Sequence, residues 1–208
     1  VNKLIFDIET GPRSDAMEWL EEVSAPSNYK DQDKIRAYVA ERKIELLEKA
    51  ALSAVTGEVL AVGTYDGIFK QIYCFDNEKD TLAEFVATLN EDSFTETPIL
   101  IGFNSESFDI PFLVRRCWAH GIQFPHRFYR RPSSYEFSID LMKMWQMGNK
   151  EDRISLNKAC KLLGLGEKSG DGKFFSQLLK EDREKAMEYL RQDLDLHYKL
   201  AERMGALE

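Results

Sequence analysis

Two hydrophobic periods alternate along this chain. Residues 3–9, within "KLIFDIETGP", place Leu4, Ile5, Phe6 and Ile8 in one short run, the pattern of a strand packed on both sides. Residues 14–52 are polar and helical in character. Their clearest part, "DKIRAYVAERKIELLEKAAL", carries an apolar stripe of Ile35, Val39 and Leu46 among acid–base pairs. "EVLAVGTYDGIFKQIYCF" reads as two strands of a hairpin turning at Asp66-Gly67. "DTLAEFVATLN" is a helix with Leu82, Phe85, Val86 and Leu89 on one face, and "PILIGFN" is a fully buried strand. "FDIPFLVRRCWAHG" is a helix with Pro111 in its first turn and Gly121 at its end. "FSIDLMKMW" reads as a strand or a strand–helix junction, and "SLNKACKLLGLG" as a helix capped by Ser155 and stopped at Gly164. "KEDREKAMEYLRQDLDLHYKLAERMG" reads as one long final helix.

Three strands with short turns and one insertion, followed by strand–helix alternation, predict an α/β fold. The sheet is expected to be mixed, three antiparallel strands plus parallel strands, and flanked by helices. No repeat or low-complexity linker divides the chain, so the expectation is a single domain over 1–208 with a helical insertion at about 11–50.

Charge narrows the function classes. The formal net charge of −8 is the wrong sign for a protein that coats nucleic acid through bulk electrostatics. Acids gathered around cations count as negative without being so in a working site, so a short, local nucleic-acid contact stays open. No apolar run is long enough for a bilayer, and the first residues lack a basic-then-apolar signal pattern, so no membrane partner is expected. Cys74, Cys117 and Cys160 are widely spaced and form no CxxC pair; they read as reduced core thiols of a cytoplasmic protein.

Chemistry enters with Asp7 and Glu9 in the first strand. Strand alternation points both side chains the same way, with Cα atoms ~7 Å apart. Two like charges on a half-buried face repel and lose hydration, and a cation between them removes that cost. In the final helix, Tyr189, Asp193, Leu196 and Leu200 share one side, with Leu190, Leu194, His197 and Ala201 beside them. Glu188, Arg191, Gln192, Asp195, Lys199 and Glu202 take the opposite side, so Asp193 points inward and Asp195 outward. An inward carboxylate is kept where it is paired or coordinates something. Asp109 opens the helix after "GFNSES"; by itself it reads first as an N-cap or first-turn acid favoured by the helix dipole. His197 reads as a packing residue on the inward face of this helix.

"FDIET", "GFNSESFDIPFLVRR" and "YLRQD" resemble, in order, the three motifs of the DnaQ-like 3′–5′ exonucleases. The resemblance is nearest to the exonuclease domain of family-B DNA polymerases and its standalone bacterial relatives, and it implies a ribonuclease H-like fold. Phe112 stands where the polymerase pattern often has tyrosine. Tyr189, four residues before Asp193, marks the DEDDy subgroup, and position 188 is Glu where the other subgroup has His. Residues 11–50 are poorly explained by the resemblance.

The resemblance implies a phosphodiester hydrolase that uses two divalent cations, Mg²⁺ or Mn²⁺, and releases 5′-mononucleotides from a 3′ end. Asp7 would bridge both cations, Glu9 and Asp193 would complete the shell of the first, and Asp109 would hold the second through water. Tyr189 would orient the attacking water. Thr10, Asn104 and Phe108 would contact the substrate, a nucleic acid with a free 3′ end, single-stranded DNA ahead of RNA. In "PHRFYRRPSSYEF", Arg127, Arg130 and Arg131 lie among Phe128, Tyr129 and Tyr135, a mixture suited to a single strand. The same loop reads as solvated, with aromatics covering the core edge. The insertion leaves the first strand just after Glu9 and is expected to form part of the rim. The rival classes are an exoribonuclease, an end-binding module with little turnover and a scaffold domain on the same fold. Proofreading in trans, DNA repair and RNA turnover are the open roles, and no feature identifies a protein partner.

Overall fold

The computed structural model describes residues 3–20, 22–90, 98–126, 128, 137–168, 170 and 172–208. The chain divides into two compact units, one of residues 1–9 with 59–208 and one of residues 10–58.

The larger unit is built on a five-stranded sheet of order β3-β2-β1-β4-β5, with β1 at Lys3–Pro12, β2 at Gly57–Tyr65, β3 at Lys70–Tyr73, β4 at Ile99–Gly102 and β5 at Ser138–Asp140. β2 and β3 pair antiparallel, Val62 opposite Tyr73, while β1–β4 and β4–β5 are parallel, with Leu4 opposite Leu100 and Ile101 opposite Ile139. The sheet is therefore mixed, as the order of elements predicts. The hairpin turns where Asp66 Oδ1 accepts from Ile68 N and Phe69 N, with Gly67 at φ +95°.

On one side of the sheet, Ile5 and Ile101 pack with Leu156, Ala159, Leu194, Leu196 and Leu200. Those side chains come from α6 (Leu156–Leu162) and α8 (Arg183–Arg203). Close approach of α8 is set by Gly63 on β2, where a Cβ would stand 3.0 Å from both Leu190 Cγ and Leu194 Cδ1. Because strand residues alternate, the face that carries Ile5 also carries Asp7 and Glu9. Elsewhere α3 (Glu78–Leu89) and α4 (Asp109–Ala119) are tied by a buried ion pair. Glu78 accepts from Arg116 Nε at 2.8 Å and Nη2 at 2.6 Å and from Val59 N at 2.7 Å, and lies 2.6 Å from His120 Nε2. Burial alone raises the Glu78 pKa, but these hydrogen bonds outweigh it and hold the carboxyl below its usual value.

Local chemistry explains where elements start and stop. Ser155 caps α6 through Lys158 N, and Asn77 caps α3 through Asp80 N. "FSIDLMKMW" is a strand–helix junction: β5 ends at Asp140, whose side chain accepts from Met142 N and caps α5 (Leu141–Gln146). The same carboxylate accepts from Asn104 N and Glu106 N, which holds the turn after β4 and sets Asn104 at φ +60°. One expectation is corrected. The final helical run is two helices, α7 (Phe175–Glu181) and α8, broken at Asp182, which is extended at φ −154° and caps α8 through Lys185 N. A run of charged residues hides this break, because the stop comes from a cap rather than from Gly or Pro.

The smaller unit holds α1 (Ala16–Trp19) and α2 (Gln32–Ala50). Asp31 caps α2 by accepting from Asp33 N and Lys34 N. Ile35, Val39 and Leu46 are half-buried, and Tyr29 meets Tyr38 edge-on at 5.6 Å. Thr56 Oγ1 donates to Ala50 O, and Arg13 pairs with Asp15 at 2.6 Å.

Candidate active site

β1 and α8 bring three carboxylates together. One oxygen from each of Asp7, Glu9 and Asp193 lies within 4.8 Å of the others. Side-chain exposure falls from 17% at Asp7 to 1% at Asp193, and Glu9 is buried. Strand alternation delivers the first two acids, and helix periodicity separates Asp193 from its neighbour. Asp195 points away and pairs with Lys70 at 2.5 Å.

Asp109 reaches the same strand from α4. Its Oδ1 accepts from the backbone N of Ile8 at 3.3 Å, between the two acids of β1. Its oxygens fall outside the set that Asp7, Glu9 and Asp193 form. Burial, then the charge of Asp7, pushes its carboxyl well above the usual range.

Electrostatics agree with the crowding. Burial raises the Asp7 pKa to about 6, with Lys168 pulling the other way. Glu9 rises well above its usual value through burial, then through Asp7 and Asp193. Asp193 also rises, again by burial, against the opposing charge of Lys168. Lys168 is the cation that this cluster does have: its Nζ is 2.5 Å from Asp193 Oδ2 and 5.7 Å from the centre of the Tyr189 ring. Burial opposes its charge, but Asp7, Asp193 and Glu9 outweigh that and raise its pKa.

Tyr189 sits one turn before Asp193 on the same face of α8. Among the described residues no group hydrogen-bonds its hydroxyl or Asp193 Oδ1, although both atoms are buried. Burial, then Asp193 and Glu9, raises the phenol above its usual range, so it stays neutral and acts as a donor. His197, one turn further on, donates from Nδ1 to Asp193 O at 2.9 Å and holds Nε2 4.0 Å from Asp7 Oδ1. Burial lowers its pKa to about 4, so it is neutral.

The donor set suits a hard divalent cation. All its carboxylate donors are oxygens, they repel one another, and one buried oxygen of Asp193 has no partner among the described residues. A divalent cation among them would offset the repulsion and give that oxygen a partner.

The other expected contacts are placed unevenly. Asn104 lines a cavity of about 720 Å³ together with Glu106, Ser107, Lys143, Gln146 and Arg153. Phe108 precedes α4 and packs at a tilt against Phe112, ring centres 5.5 Å apart and planes at 48°. Thr10 follows Glu9 on β1 and is half-buried; it belongs to the smaller unit. Arg130 and Arg131, with Arg127, Tyr129 and Tyr135, lie outside the described residues. Phe128 from the same loop is buried against Phe124, ring centres 5.3 Å apart, which is the core-edge reading for that residue.

Sequence reasoning missed three features. Lys168 stands alone in "GEKSGDG", with no periodicity to aim it. Asp140 looks like an ordinary strand-end acid, yet it organises the turn that presents Asn104. Gly172 comes close to the site: a Cβ there would stand 3.3 Å from Glu9 Oε2 and 3.6 Å from the Tyr189 hydroxyl. The available signal was three glycines around a lysine, between the helix of residues 156–162 and the last acid.

The chain is similar in structure to the family B DNA polymerase of the hyperthermophilic archaeon Pyrobaculum calidifontis, with a TM-score of 0.61 and 18% identity over 97% of this chain. It spans 24% of that polymerase's length, and at this identity the likeness concerns the fold, in keeping with a ribonuclease H-like α/β architecture. No curated protein matches the chain. A family profile matches residues 45–204, a span that includes Asp109, Tyr189 and Asp193 and begins after Asp7 and Glu9. On that match, the chain belongs to the family described as predicted 3′–5′ exonucleases related to the exonuclease domain of PolB.

Proposed function

We propose that the chain is a metal-dependent 3′–5′ exonuclease of the DEDDy type. It hydrolyses phosphodiester bonds at the 3′ end of single-stranded DNA and releases 5′-mononucleotides. The observation that carries this reading is the meeting of Asp7, Glu9 and Asp193 within 4.8 Å beside the Tyr189 side of α8. Asp7, Glu9 and Asp193, with Asp109 through water, would hold two divalent cations, Mg²⁺ or Mn²⁺, which supply an activated water and charge stabilisation at the leaving oxygen.

The chain's own groups divide the remaining work. Tyr189 is neutral and donates its hydroxyl proton in a hydrogen bond, which orients the attacking oxygen without removing its proton. Lys168 balances the acids before substrate arrives, and its ammonium beside Asp193 is placed to pair with a phosphate oxygen that a bound cation would draw in. His197 fixes the backbone of Asp193 and faces Asp7 with an unprotonated nitrogen. Asn104 and Phe108 line the path of the strand, with Thr10, Arg130 and Arg131 as further contacts, and the base next to Phe108 stacks on its ring. No helix among the described residues is long and apolar enough to cross a membrane, and the proposed place of action is the cytoplasm.

The test is degradation of 5′-labelled single-stranded DNA and RNA of equal sequence in Mg²⁺, in Mn²⁺ and in EDTA. A ladder shortening from the 3′ end, abolished by EDTA and faster on DNA, is expected. A faster RNA ladder would reassign the substrate. Binding of the strand with no shortening in either metal would replace the enzyme by an end-binding module.

A further inference from the structure

Gly172 opens the 3-10 turn Gly172–Phe174, a few residues after Lys168. Its φ lies outside the left-handed region, so the turn does not need a glycine's conformational freedom. A glycine held in such a turn costs more backbone entropy than an alanine would. Its use there is therefore space. Leaving aside its two chain neighbours, the three atoms nearest to a Cβ on Gly172 are all oxygens: Glu9 Oε2 at 3.3 Å, the Tyr189 hydroxyl at 3.6 Å and Glu9 Oε1 at 3.8 Å. We propose that Gly172 is a positioning residue for hydrolysis: the space left by its missing side chain seats the attacking water between Glu9 and Tyr189. The inference rests on the exonuclease reading and adds to it the residue that keeps this seat open.

Three observations support a seat rather than an idle gap. The bounding atoms are complementary: the Glu9 carboxylate accepts hydrogen bonds, and the neutral Tyr189 hydroxyl has a proton to give. That hydroxyl is buried, and among the described residues nothing takes its proton. The backbone also comes close earlier in the same segment. At Gly170 a Cβ would stand 3.3 Å from Tyr189 Cε2 and 3.5 Å from Cδ2. The segment thus lies against the ring edge at one glycine and against the hydroxyl at the other. Buried Phe175 packs on the same ring with centres 6.2 Å apart, so the direction of the phenol is held from more than one side.

The partners decide the occupant. A water donates to Glu9 and accepts from Tyr189, and one lone pair remains for the phosphorus. Three polar partners suit a buried water. A phosphate oxygen or a further carboxylate would face the charge of Glu9 instead. Lys168 does not fill the space: its ammonium is held 2.5 Å from Asp193 Oδ2 and is not among the three nearest atoms. A methyl group on Gly172 would meet these oxygens, close against Glu9 Oε2, and would take the room of the water.

The experiment compares wild type, Gly172→Ala, Tyr189→Phe and the double variant, each as the full chain, on 5′-labelled single-stranded DNA in Mn²⁺. Gly172→Ala is expected to lower kcat about 10²-fold, the usual loss for a misplaced reacting group, with KM and the calorimetric affinity for Mn²⁺ unchanged. The double variant should be about as slow as the slower single variant, because both changes disturb one water. Losses that multiply, wild-type turnover by Gly172→Ala, or a loss of Mn²⁺ affinity that accounts for its lower kcat would overturn the seat. Denaturant unfolding of the same four proteins in EDTA gives a second cycle that needs no turnover. Tyr189→Phe should raise the unfolding midpoint more in the Gly172→Ala background than in wild type, since the methyl strands the hydroxyl once the water is gone. Equal shifts in the two backgrounds would remove the seat. If wild type shortens no strand, the exonuclease reading fails separately, and the unfolding cycle still decides what the space beside Gly172 holds.

Discussion

Lys168 holds its ammonium 2.5 Å from Asp193 Oδ2, and that acid's other oxygen is buried with no described partner. The lysine is thus the counter-charge of a cluster built for more positive charge than one ammonium. Lys168→Met should leave Asp193 uncompensated in chelated protein and cost about 3 kcal/mol, the lower end for breaking a buried pair. A divalent cation should then raise the melting temperature more in the variant than in wild type, since no ammonium competes for Asp193. Thermal melts in EDTA and in Mn²⁺ measure both effects. Equal metal-induced shifts would show that Lys168 and the cation do not share Asp193.

Tyr189→Phe separates chemistry from folding. The hydroxyl is buried with no described partner, so its removal should leave the melting temperature equal or higher. Affinity for Mn²⁺, read by calorimetry, should be unchanged, because the carboxylates supply the donors. Turnover should fall about 10²-fold, the usual loss for one oriented donor at a reacting centre. A fall in melting temperature together with metal affinity would instead make Tyr189 a structural residue.

Chelated protein should also show the strain of the cluster in its pH dependence. Asp7 titrates at about 6 when folded and near 3.8 when unfolded, so the folded state binds the extra proton between those values. Ionising Asp7 therefore destabilises the fold as pH rises from about 4 to about 6. His197 works in the opposite sense: its folded pKa is about 4 against an ordinary 6.5, so its contribution strengthens as pH rises through that window. Asp7→Asn isolates the first effect. The melting temperature of the variant, minus that of wild type, should grow from pH 4 to pH 6 and then level off. A flat difference would mean that Asp7 is not held against its charge.

Remote from the site, Glu78 should carry fold stability alone. Its carboxylate takes Val59 N, both donors of Arg116 and the ring of His120, and the Glu78 and Arg116 side chains are buried. Glu78→Ala removes the carboxylate that a buried guanidinium and a backbone N–H share, a loss of about 3–5 kcal/mol. Denaturant unfolding should show that loss, while kcat of the folded fraction stays at the wild-type value.

The sequence announces those parts of the site that ride on regular structure. A period of two puts Asp7 and Glu9 on one face, and a period of 3.6 turns Asp193 inward and Asp195 outward, so simple geometry finds three acids and Tyr189. The hairpin at Asp66-Gly67 and the cap at Ser155 are legible for the same local reason. Contacts made by loops are not. Lys168 reaches Asp193 from a glycine-rich turn, and Asp140 captures the turn at Asn104 from a strand 36 residues away in sequence. The break at Asp182 was hidden because its signal is one side-chain hydrogen bond within a run of charges.

The most direct test of the central claim sets wild type beside Asp7→Ala on a 5′-labelled single strand in Mn²⁺, with both proteins matched by circular dichroism and melting temperature. Wild type should shorten the strand stepwise from its 3′ end, EDTA should stop it, and Asp7→Ala should leave the strand intact while still folded. Shortening by Asp7→Ala at the wild-type rate, or shortening that persists in EDTA, would contradict a metal-dependent reaction at the Asp7–Glu9–Asp193 cluster.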